Sequence, residues 1–210
     1  MKLYHANGSP NARRVRILIA EKGIEVELLP VDLGTREQNS EAYRAINPRS
    51  VVPTLVLDDG TAIGEASTIM RYLDDAHPTP SLYGTTAAEK AVVAMWERRM
   101  EIEGFAAVME GVRNNAPGLK GRALSGPHGY DQIPELVERS RQRVVNFYND
   151  LDAQLGRSTF VAGNTFSAAD ITALVTLDFA TKAFTMPIPE SHDALKRWHD
   201  AVSARASTSA

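Results

Sequence analysis

The sequence predicts a small α/β domain followed by an all-α domain, and three observations lead to this division. Strand and helix patterns alternate over the first 76 residues in the order β-α-β-α-β-β-α. Residues 77–86 then contain two prolines and one glycine, which is typical of a linker. Beyond this linker the strand patterns almost disappear and helical periodicity dominates. We therefore predict an α/β domain over residues 1–78 and an all-helical domain over residues 87–210.

Each element of the first domain rests on a local pattern. Residues 2–5 are a strand candidate, and residues 11–23 form a helix pattern whose apolar stripe includes Ala12 and Val15. Residues 25–31 alternate in polarity and contain Pro30, which favours an edge strand. The remaining elements are a polar helix over 37–46, two strands over 53–63 joined by an Asp-Gly turn, and a helix over 65–76.

The second domain is predicted from long helical stripes. One long helix is expected over residues 87–113, and a strong stripe predicts another over 135–155. Two shorter helices are expected over 167–183 and 191–203. The segment 111–134 contains four glycines and three prolines, so it is predicted to be a loop. The terminal sequence ASTSA is expected to lack regular structure.

Composition and charge restrict the class of protein. The chain has 210 residues, of which 43% are apolar and 23% charged, as in ordinary soluble globular proteins. A net charge of −3 argues against a nucleic-acid partner, because nucleic-acid surfaces are usually basic. Arg13, Arg14 and Arg16 do cluster in the first helix, and we interpret them as its solvated face.

Three further absences in the sequence define expectations. The chain has no cysteine, which excludes disulfides, a cysteine nucleophile and thiolate metal sites. Its five histidines are scattered without metal-ligand spacing, so no metal site is expected. The sequence has no apolar run of about 18 residues and no apolar leader at its start, so we expect a cytoplasmic protein without a membrane partner.

Ser9 is the first candidate site residue, and it admits two interpretations. It lies in the segment GSPN between the first strand and the first helix, with Pro10 at the first helical position. Both features are typical of a helix N-cap. A hydroxyl beside the free N–H groups of a helix start also stabilises a thiolate. Local sequence alone leaves the cap and the catalytic interpretation open.

Two further segments resemble ligand-binding turns. In SVVPTL, Pro53 either begins a strand or forms a cis bond after Val52 that turns the Val52 backbone groups outward. In AIGEAST, Glu65 and Ser67 lie where a helix begins. The N–H groups of such a turn favour an anion, but Glu65 is equally explained as a partner of the helix dipole.

A third segment is interpreted as a folding device. In FVAGNTFSAADI, Ser167 is followed three residues later by Asp170, the spacing of a capping box. Phe166 and Ile171 occupy the positions of a hydrophobic staple around it. We predict that this motif starts one helix and takes no part in chemistry.

Taken in order, these motifs resemble the cytosolic glutathione transferase family. The resemblance rests on Ser-x-Asn after a strand, NP and VP-x-L, Glu at a helix start, and the F-x-AG…FS-x-AD pattern, and it spans Lys2 to about Trp198. The serine at the N-terminal site is similar to that of the phi and theta classes. The resemblance implies a thioredoxin-like first domain, a helical-bundle second domain and a homodimer.

The resemblance also implies roles for individual residues. Ser9 would face the sulfur of glutathione as the catalytic hydroxyl, with Asn11 close by. Gln38 would hold the glycyl end of glutathione, and the Val52 backbone before Pro53 would pair with the cysteinyl unit. Glu65 and the N–H groups that follow it, at Ala66 and Ser67, would hold the γ-glutamyl unit.

The function that follows is a glutathione transferase active in detoxification. Glutathione would be the co-substrate, with no metal, and its thiolate would attack a small hydrophobic electrophile. The alternative is a glutathione-binding or interaction protein of the same fold with little turnover. Three departures from the family pattern support that alternative: Ala66 stands where serine is common, Val51 where a Gln or Lys is common, and Asn39 where a basic residue is frequent.

Overall fold

A computed structural model describes all 210 residues, and the chain forms two compact units. The first unit comprises residues 1–80 with two short additions, 125–128 and 209–210. The second comprises residues 81–124 and 129–208.

The first unit contains the predicted alternation of strands and helices. Its elements are β1 (Lys2–His5), α1 (Pro10–Lys22), β2 (Glu27–Pro30), α2 (Glu41–Ile46), β3 (Thr54–Val56), β4 (Ala62–Ile63) and α3 (Ala66–Ala76). The polar segment predicted as a single helix over 37–46 is divided: Glu37–Asn39 form one 3₁₀ turn, and Ser40 caps α2 by accepting a hydrogen bond from the Tyr43 N–H at 3.1 Å. The Asp-Gly turn separates β3 from β4 as predicted.

The four strands form one mixed sheet in the order β2-β1-β3-β4. Strand β1 runs parallel to β2 and antiparallel to β3, and β3 is antiparallel to β4. The strand with Pro30 is therefore at the edge, as predicted. This topology places the ends of β1, β2 and β4 and the beginning of β3 at the same edge of the sheet.

Helix α1 is buried more completely than its sequence pattern indicates. Ala12, Val15 and Leu18 are fully buried, as their stripe predicts. The interpretation of the arginine cluster as a solvated face is wrong for two of its members: Arg14 is 1% exposed and Arg16 is 8% exposed. Counting charge misled the prediction, because an arginine with buried hydrogen-bond acceptors packs its long stem like an apolar side chain.

A buried ion pair joins the end of α1 to α3. Lys22 Nζ lies 2.6 Å from Asp74 Oδ1, and their side chains are only 0% and 3% exposed. Lys22 also donates to the carbonyl of Pro80 at 2.5 Å. After Lys22 the helix ends at Gly23, whose φ of 61° is the left-handed conformation that favours glycine. This ion pair fixes the far end of α1 against the neighbouring helix.

The second unit is all-helical, as predicted. Its α-helices are α4 (Ala87–Arg99), α5 (Ala106–Asn115), α6 (Glu135–Leu155), α7 (Ala168–Phe184) and α8 (Asp193–Ser203). A π-helical segment over Met100–Phe105 joins α4 to α5, so the single helix predicted over 87–113 is continuous but locally overwound in hydrogen-bond spacing. Within this segment Gly104 lets the Phe147 ring approach closely, since a Cβ there would lie 2.6 Å from Phe147 Cζ.

The Ser167–Asp170 motif begins α7 as a capping box. The Asp170 carboxylate is 0% exposed and accepts from the N–H and the hydroxyl of Ser167, both at 2.9 Å. It also accepts from the Val161 N–H and the Trp198 Nε1–H, both at 2.9 Å. The motif therefore ties the preceding loop and α8 to the start of one helix.

Two observations complete the description of the chain. The terminal residues, expected to lack structure, instead include a 3₁₀ turn over Ala206–Ser209 in which Thr208 Oγ1 donates to the carbonyls of Ser203 and Arg205. None of the helices is both long and apolar enough to cross a membrane.

Candidate functional site

The sheet topology brings the sequence-predicted site residues to one edge. Ser9 follows the end of β1, and Val52 and Pro53 precede the antiparallel β3. Glu65 follows β4, which is antiparallel to β3, and Gln38 follows β2, which is parallel to β1. Residues from four separate segments therefore converge on the same edge of the first unit.

Ser9 is the N-cap of α1. Its backbone is extended, and its Oγ accepts a hydrogen bond from the Ala12 N–H at 3.3 Å. Its own N–H donates to the carbonyl of Ala6 at 3.0 Å, which closes the turn over residues 6–9. The cap interpretation is thus confirmed as a structural fact. Because a hydroxyl has one donor proton besides its acceptor lone pairs, the cap leaves the Ser9 proton available for another acceptor.

Asn11 lies in the first turn of α1, two residues after Ser9. Its Oδ1 accepts from Arg14 Nη1 at 3.2 Å, so the side-chain amide is oriented by a buried arginine. The first turn of α1 contains no acidic residue. The positive end of the helix dipole is therefore not compensated by a carboxylate from its own first turn.

The Val52–Pro53 peptide bond is cis, as the sharper interpretation of SVVPTL predicted. The backbone N–H and C=O of Val52 form no hydrogen bond within the chain. Pro53 itself is buried directly before β3. Val52 therefore offers one backbone donor and one backbone acceptor to an extended ligand.

A buried hydrogen-bond network holds the residue before Val52. The carbonyl oxygen of Val51 accepts from Tyr43 Oη at 2.7 Å and from Asn47 Nδ2 at 3.1 Å. Thr54 Oγ1 lies 3.0 Å from Tyr43 Oη and 2.8 Å from Asn47 Nδ2. Burial raises the pKa of the Tyr43 hydroxyl, so it remains a neutral donor. This network orients the approach of the chain to the Val52–Pro53 bond.

Glu65 occupies a strained position at the start of α3. Its φ is 64° and its ψ is 118°, a conformation that residues with a Cβ rarely adopt. Its exposed side chain does not cap the helix, and α3 has no acidic residue in its first turn. The N–H groups of Ala66 and Ser67 consequently have no acceptor in the chain. Strain of this type is concentrated at ligand sites, where binding compensates for it.

Gln38 provides an independent indication of a ligand. Its Oε1 atom is buried and has no hydrogen-bond partner in the chain. A buried polar atom without a partner costs roughly 1–3 kcal/mol, so such atoms are rare. Rotation of the side-chain amide by half a turn presents its N–H₂ group at the same place. Gln38 therefore suits a peptide N–H or a carboxylate of a ligand.

Sequence reasoning missed three residues of this region. Tyr43 and Ser50 carry no motif: Tyr43 is a buried donor in α2, and Ser50 is buried in a left-handed conformation (φ 55°) with an unpartnered Oγ. Arg16 is also buried, and its spacing offered a signal, because it lies four residues after Ala12 on the apolar stripe.

No group of three or more His, Asp or Glu side chains is arranged to hold a metal ion. The site that the structure assembles consists of backbone groups, one hydroxyl, two carboxamides and one carboxylate. Two helix N-termini, those of α1 and α3, lie at the same sheet edge and favour anionic groups there. Such a site recognises a small peptide that carries carboxylates and an ionisable thiol.

Comparisons with known proteins agree with this description. The family model of the glutathione S-transferase N-terminal domain matches residues 3–81, and that of the C-terminal domain matches residues 134–201. Glutathione S-transferase 2 of Saccharomyces cerevisiae is 34% identical over 210 residues, which cover 99% of this chain and 87% of the yeast protein.

Solved structures give the same result. A glutathione S-transferase domain-containing protein of Marinobacter aquaeolei VT8 superposes with a TM-score of 0.91 at 37% identity, covering 99% of this chain and 100% of the other. Gtt2 of Saccharomyces cerevisiae superposes with a TM-score of 0.90 at 33% identity, covering 100% and 99%. These matches extend over both units and confirm the predicted fold of a thioredoxin-like domain with a helical domain. The chain belongs to the cytosolic glutathione S-transferase family, and it is an enzyme of the glutathione transferase class.

Proposed function

We propose that this transferase binds glutathione at the sheet edge described above and ionises its thiol beside Ser9. The observation that carries the proposal is the dual capacity of the Ser9 hydroxyl. Its oxygen accepts the Ala12 N–H as a helix cap, while its proton donates to the glutathione sulfur. Donation to the charged sulfur lowers the pKa of the thiol. Asn11, two residues on, supplies a second polar group near the sulfur.

The reaction is the addition of the glutathione sulfur to a small hydrophobic electrophile. The thiol loses its proton to solvent and the sulfur remains as a thiolate held by the Ser9 hydroxyl. The sulfur lone pair then forms a bond to the electrophilic atom, and the electron pair of the broken bond leaves with the departing group or stays on the opened acceptor. The protein itself forms no covalent intermediate.

Backbone and side-chain groups divide the remainder of glutathione among them. The unpaired N–H and C=O of Val52 bind the cysteinyl backbone, and Pro53 directly after them begins β3. The free N–H groups of Ala66 and Ser67 receive the γ-glutamyl carboxylate, and the Glu65 carboxylate receives its ammonium group. Gln38, whose buried Oε1 lacks a partner, binds the glycyl end.

Family membership supports four broader proposals. The chain is a homodimer, it is located in the cytoplasm, and it acts in detoxification without a metal. Its glutathione-binding domain comprises residues 1–78 and its helical domain residues 87–210. The exposed apolar side chains Val92 and Met95 on α4, 43% and 50% exposed, are candidate contacts of a second copy.

Calorimetric titration with glutathione, followed by turnover assays with a set of model electrophiles, tests the proposal. Glu65→Gln is expected to weaken glutathione binding about tenfold, because a charge-assisted contact to the ligand ammonium is lost. Glu41→Gln is the matched control, since Glu41 is an exposed acid in the first turn of α2. Binding without turnover of any electrophile contradicts the catalytic part. Absence of glutathione binding to the unmodified protein contradicts the site as a whole.

A further inference from the structure

The first helix contains a buried guanidinium that has no anionic partner. Arg16 is 8% exposed, yet it forms no ion pair. Its Nη1 lies 3.3 Å from His5 Nδ1 and 3.4 Å from the carbonyl oxygen of Ala6, and both of these partners are neutral acceptors. Buried charges in proteins are nearly always paired with an opposite charge. An unpaired one therefore requires an explanation.

The position of this guanidinium connects it to Ser9. Side chains on a helix lean toward its N-terminus, so Arg16 reaches back along α1 to the turn that precedes the helix. The Ala6 carbonyl that it contacts is the same oxygen that accepts the Ser9 N–H at 3.0 Å. Arg16 and Ser9 are thus bonded to one common atom, and displacement of Arg16 loosens the turn over residues 6–9.

His5 keeps the positive charge on Arg16 alone. Burial, and after it the charge of Arg16, lowers the pKa of His5, so the imidazole is neutral and its Nδ1 accepts. Burial, and after it Arg13 on the same helix, lowers the pKa of Arg16, but a guanidinium remains charged at every physiological pH. The local charge beneath the turn is consequently one fixed cation.

We propose that Arg16 is a positioning residue of the thiol site: it clamps the Ala6 carbonyl and so fixes the turn that carries Ser9, and it supplies a fixed positive charge that favours the glutathione thiolate. The inference rests on the proposed function of Ser9. It explains why the cation is left without a carboxylate, since a resident anion would cancel the field that the bound sulfur needs. A helix dipole alone gives a smaller effect, because it corresponds to about half a unit charge.

The test is the pKa of the thiol of bound glutathione, followed by the ultraviolet absorbance of the thiolate across a pH series. Arg16→Met removes the charge and the donor but keeps the stem, and replacing buried charge by an apolar isostere often leaves folding intact. We expect the thiol pKa to rise by about one unit and kcat/KM at neutral pH to fall about three- to tenfold. The dissociation constant for glutathione should change by less than about threefold, since Gln38, Val52 and Glu65 are untouched.

Two companion variants separate charge from packing. Arg16→Lys keeps the cation and is expected to restore the thiol pKa to within about 0.3 of the original value. Arg16→Gln keeps a donor without charge and should behave like Arg16→Met, which gives a second neutral variant if Met does not fold. Arg13→Met, the matched control, removes a charge from a partly exposed position of the same helix and should leave the thiol pKa unchanged.

The outcomes are distinguishable from failure of the proposed function. If the unmodified protein does not lower the thiol pKa below its free value of about 8.5, the proposed role of Ser9 fails first. If the unmodified protein lowers it and the folded neutral variants keep the same pKa, Arg16 is only a packing residue and the inference is overturned. A lysine variant whose thiol pKa is as high as that of the neutral variants overturns the charge contribution.

Discussion

Asn47 Nδ2 donates a hydrogen bond to the carbonyl oxygen of Val51 at 3.1 Å, directly before the cis Val52–Pro53 bond. The amide of Asn47 thereby determines how the chain enters the segment proposed to pair with the cysteinyl unit of glutathione. Its Oδ1 also accepts from the Arg49 N–H at 2.9 Å, so one side chain orders both ends of the loop. Binding at Val52 therefore depends on a residue that does not itself touch the ligand.

Replacement of Asn47 is expected to weaken glutathione binding more than it affects the thiol. In Asn47→Ala the dissociation constant should rise about tenfold, because the Val52 backbone groups lose their fixed orientation. Unfolding should become easier by about 1–2 kcal/mol, since Tyr43 still donates to the same carbonyl. Calorimetry and denaturant titration measure both quantities. Asn146→Ala, on the exposed face of α6, is the control, and equal affinities for the two variants would contradict this role.

The Lys22–Asp74 pair is expected to contribute strongly to stability. Lys22→Met should destabilise the protein by about 3–5 kcal/mol, because it leaves the Asp74 carboxylate buried without its cation. The double variant Lys22→Met/Asp74→Leu should lose less than the single one. Lys2→Met removes the exposed Lys2–Glu27 pair and should cost less than about 1 kcal/mol. Denaturant unfolding of the four proteins decides the matter; a Lys22→Met loss as small as that of Lys2→Met would refute it.

The capping box of α7 is expected to act on folding alone. Ser167→Ala should lower the free energy of unfolding by about 1 kcal/mol, as lost caps usually do. Asp170→Ala should lower it by about 3 kcal/mol or more, because Asp170 accepts four hydrogen bonds in a fully buried position. Activity per folded molecule of Ser167→Ala should be unchanged below its melting temperature. A selective loss of glutathione binding in that folded variant would be inconsistent with a structural role.

His5 predicts the direction of one pH effect on stability. Burial first, and the Arg16 charge second, lowers its pKa in the folded protein below 6.5. The unfolded chain therefore takes up a proton at a higher pH than the folded protein, so the free energy of unfolding falls as the pH decreases below about 6.5. The contribution of this one group has a slope of at most about 1.4 kcal/mol per pH unit.

The variant His5→Gln isolates this contribution. It cannot take up the proton, so its unfolding free energy should fall less steeply than that of the unmodified protein between about pH 7 and pH 5. Urea unfolding at a series of pH values gives the two curves. Curves that run parallel over this range would show that His5 does not titrate differently in the folded and unfolded states.

The sequence predicts the frame of this molecule better than its charged interior. Apolar periodicity and the turn residues were sufficient for the element order, and Ser-Pro was sufficient for the cap at Ser9. The burial of Arg14 and Arg16 was not predictable from charge, because it depends on acceptors that only the folded chain brings near. The π-helical segment around Gly104 and the left-handed Ser50 likewise arise from tertiary packing, which overrides local propensity.

The site was predictable in a different way. Gln38, Val52 and Glu65 were identified through resemblance to a family, since none of them carries a specific local pattern. The strain at Glu65 and the unpartnered oxygen of Gln38 are physical indications of a ligand that no sequence pattern contains. Tyr43 was missed because a tyrosine in a short helix carries no signal of the carbonyl that it will meet.

The most direct test of the account is the pH dependence of kcat/KM for a thiol-dependent reaction in Ser9→Ala. The account predicts that the profile moves to higher pH and that the rate at neutral pH falls by about one to three powers of ten, because the donor to the thiolate is lost. Glutathione affinity should persist through Gln38, Val52 and Glu65. Ser40→Ala removes the equivalent cap of α2, so it should cost a similar stability of about 1 kcal/mol without moving the profile. An unshifted profile and a full rate in folded Ser9→Ala would contradict the account and leave Ser9 as a helix cap alone.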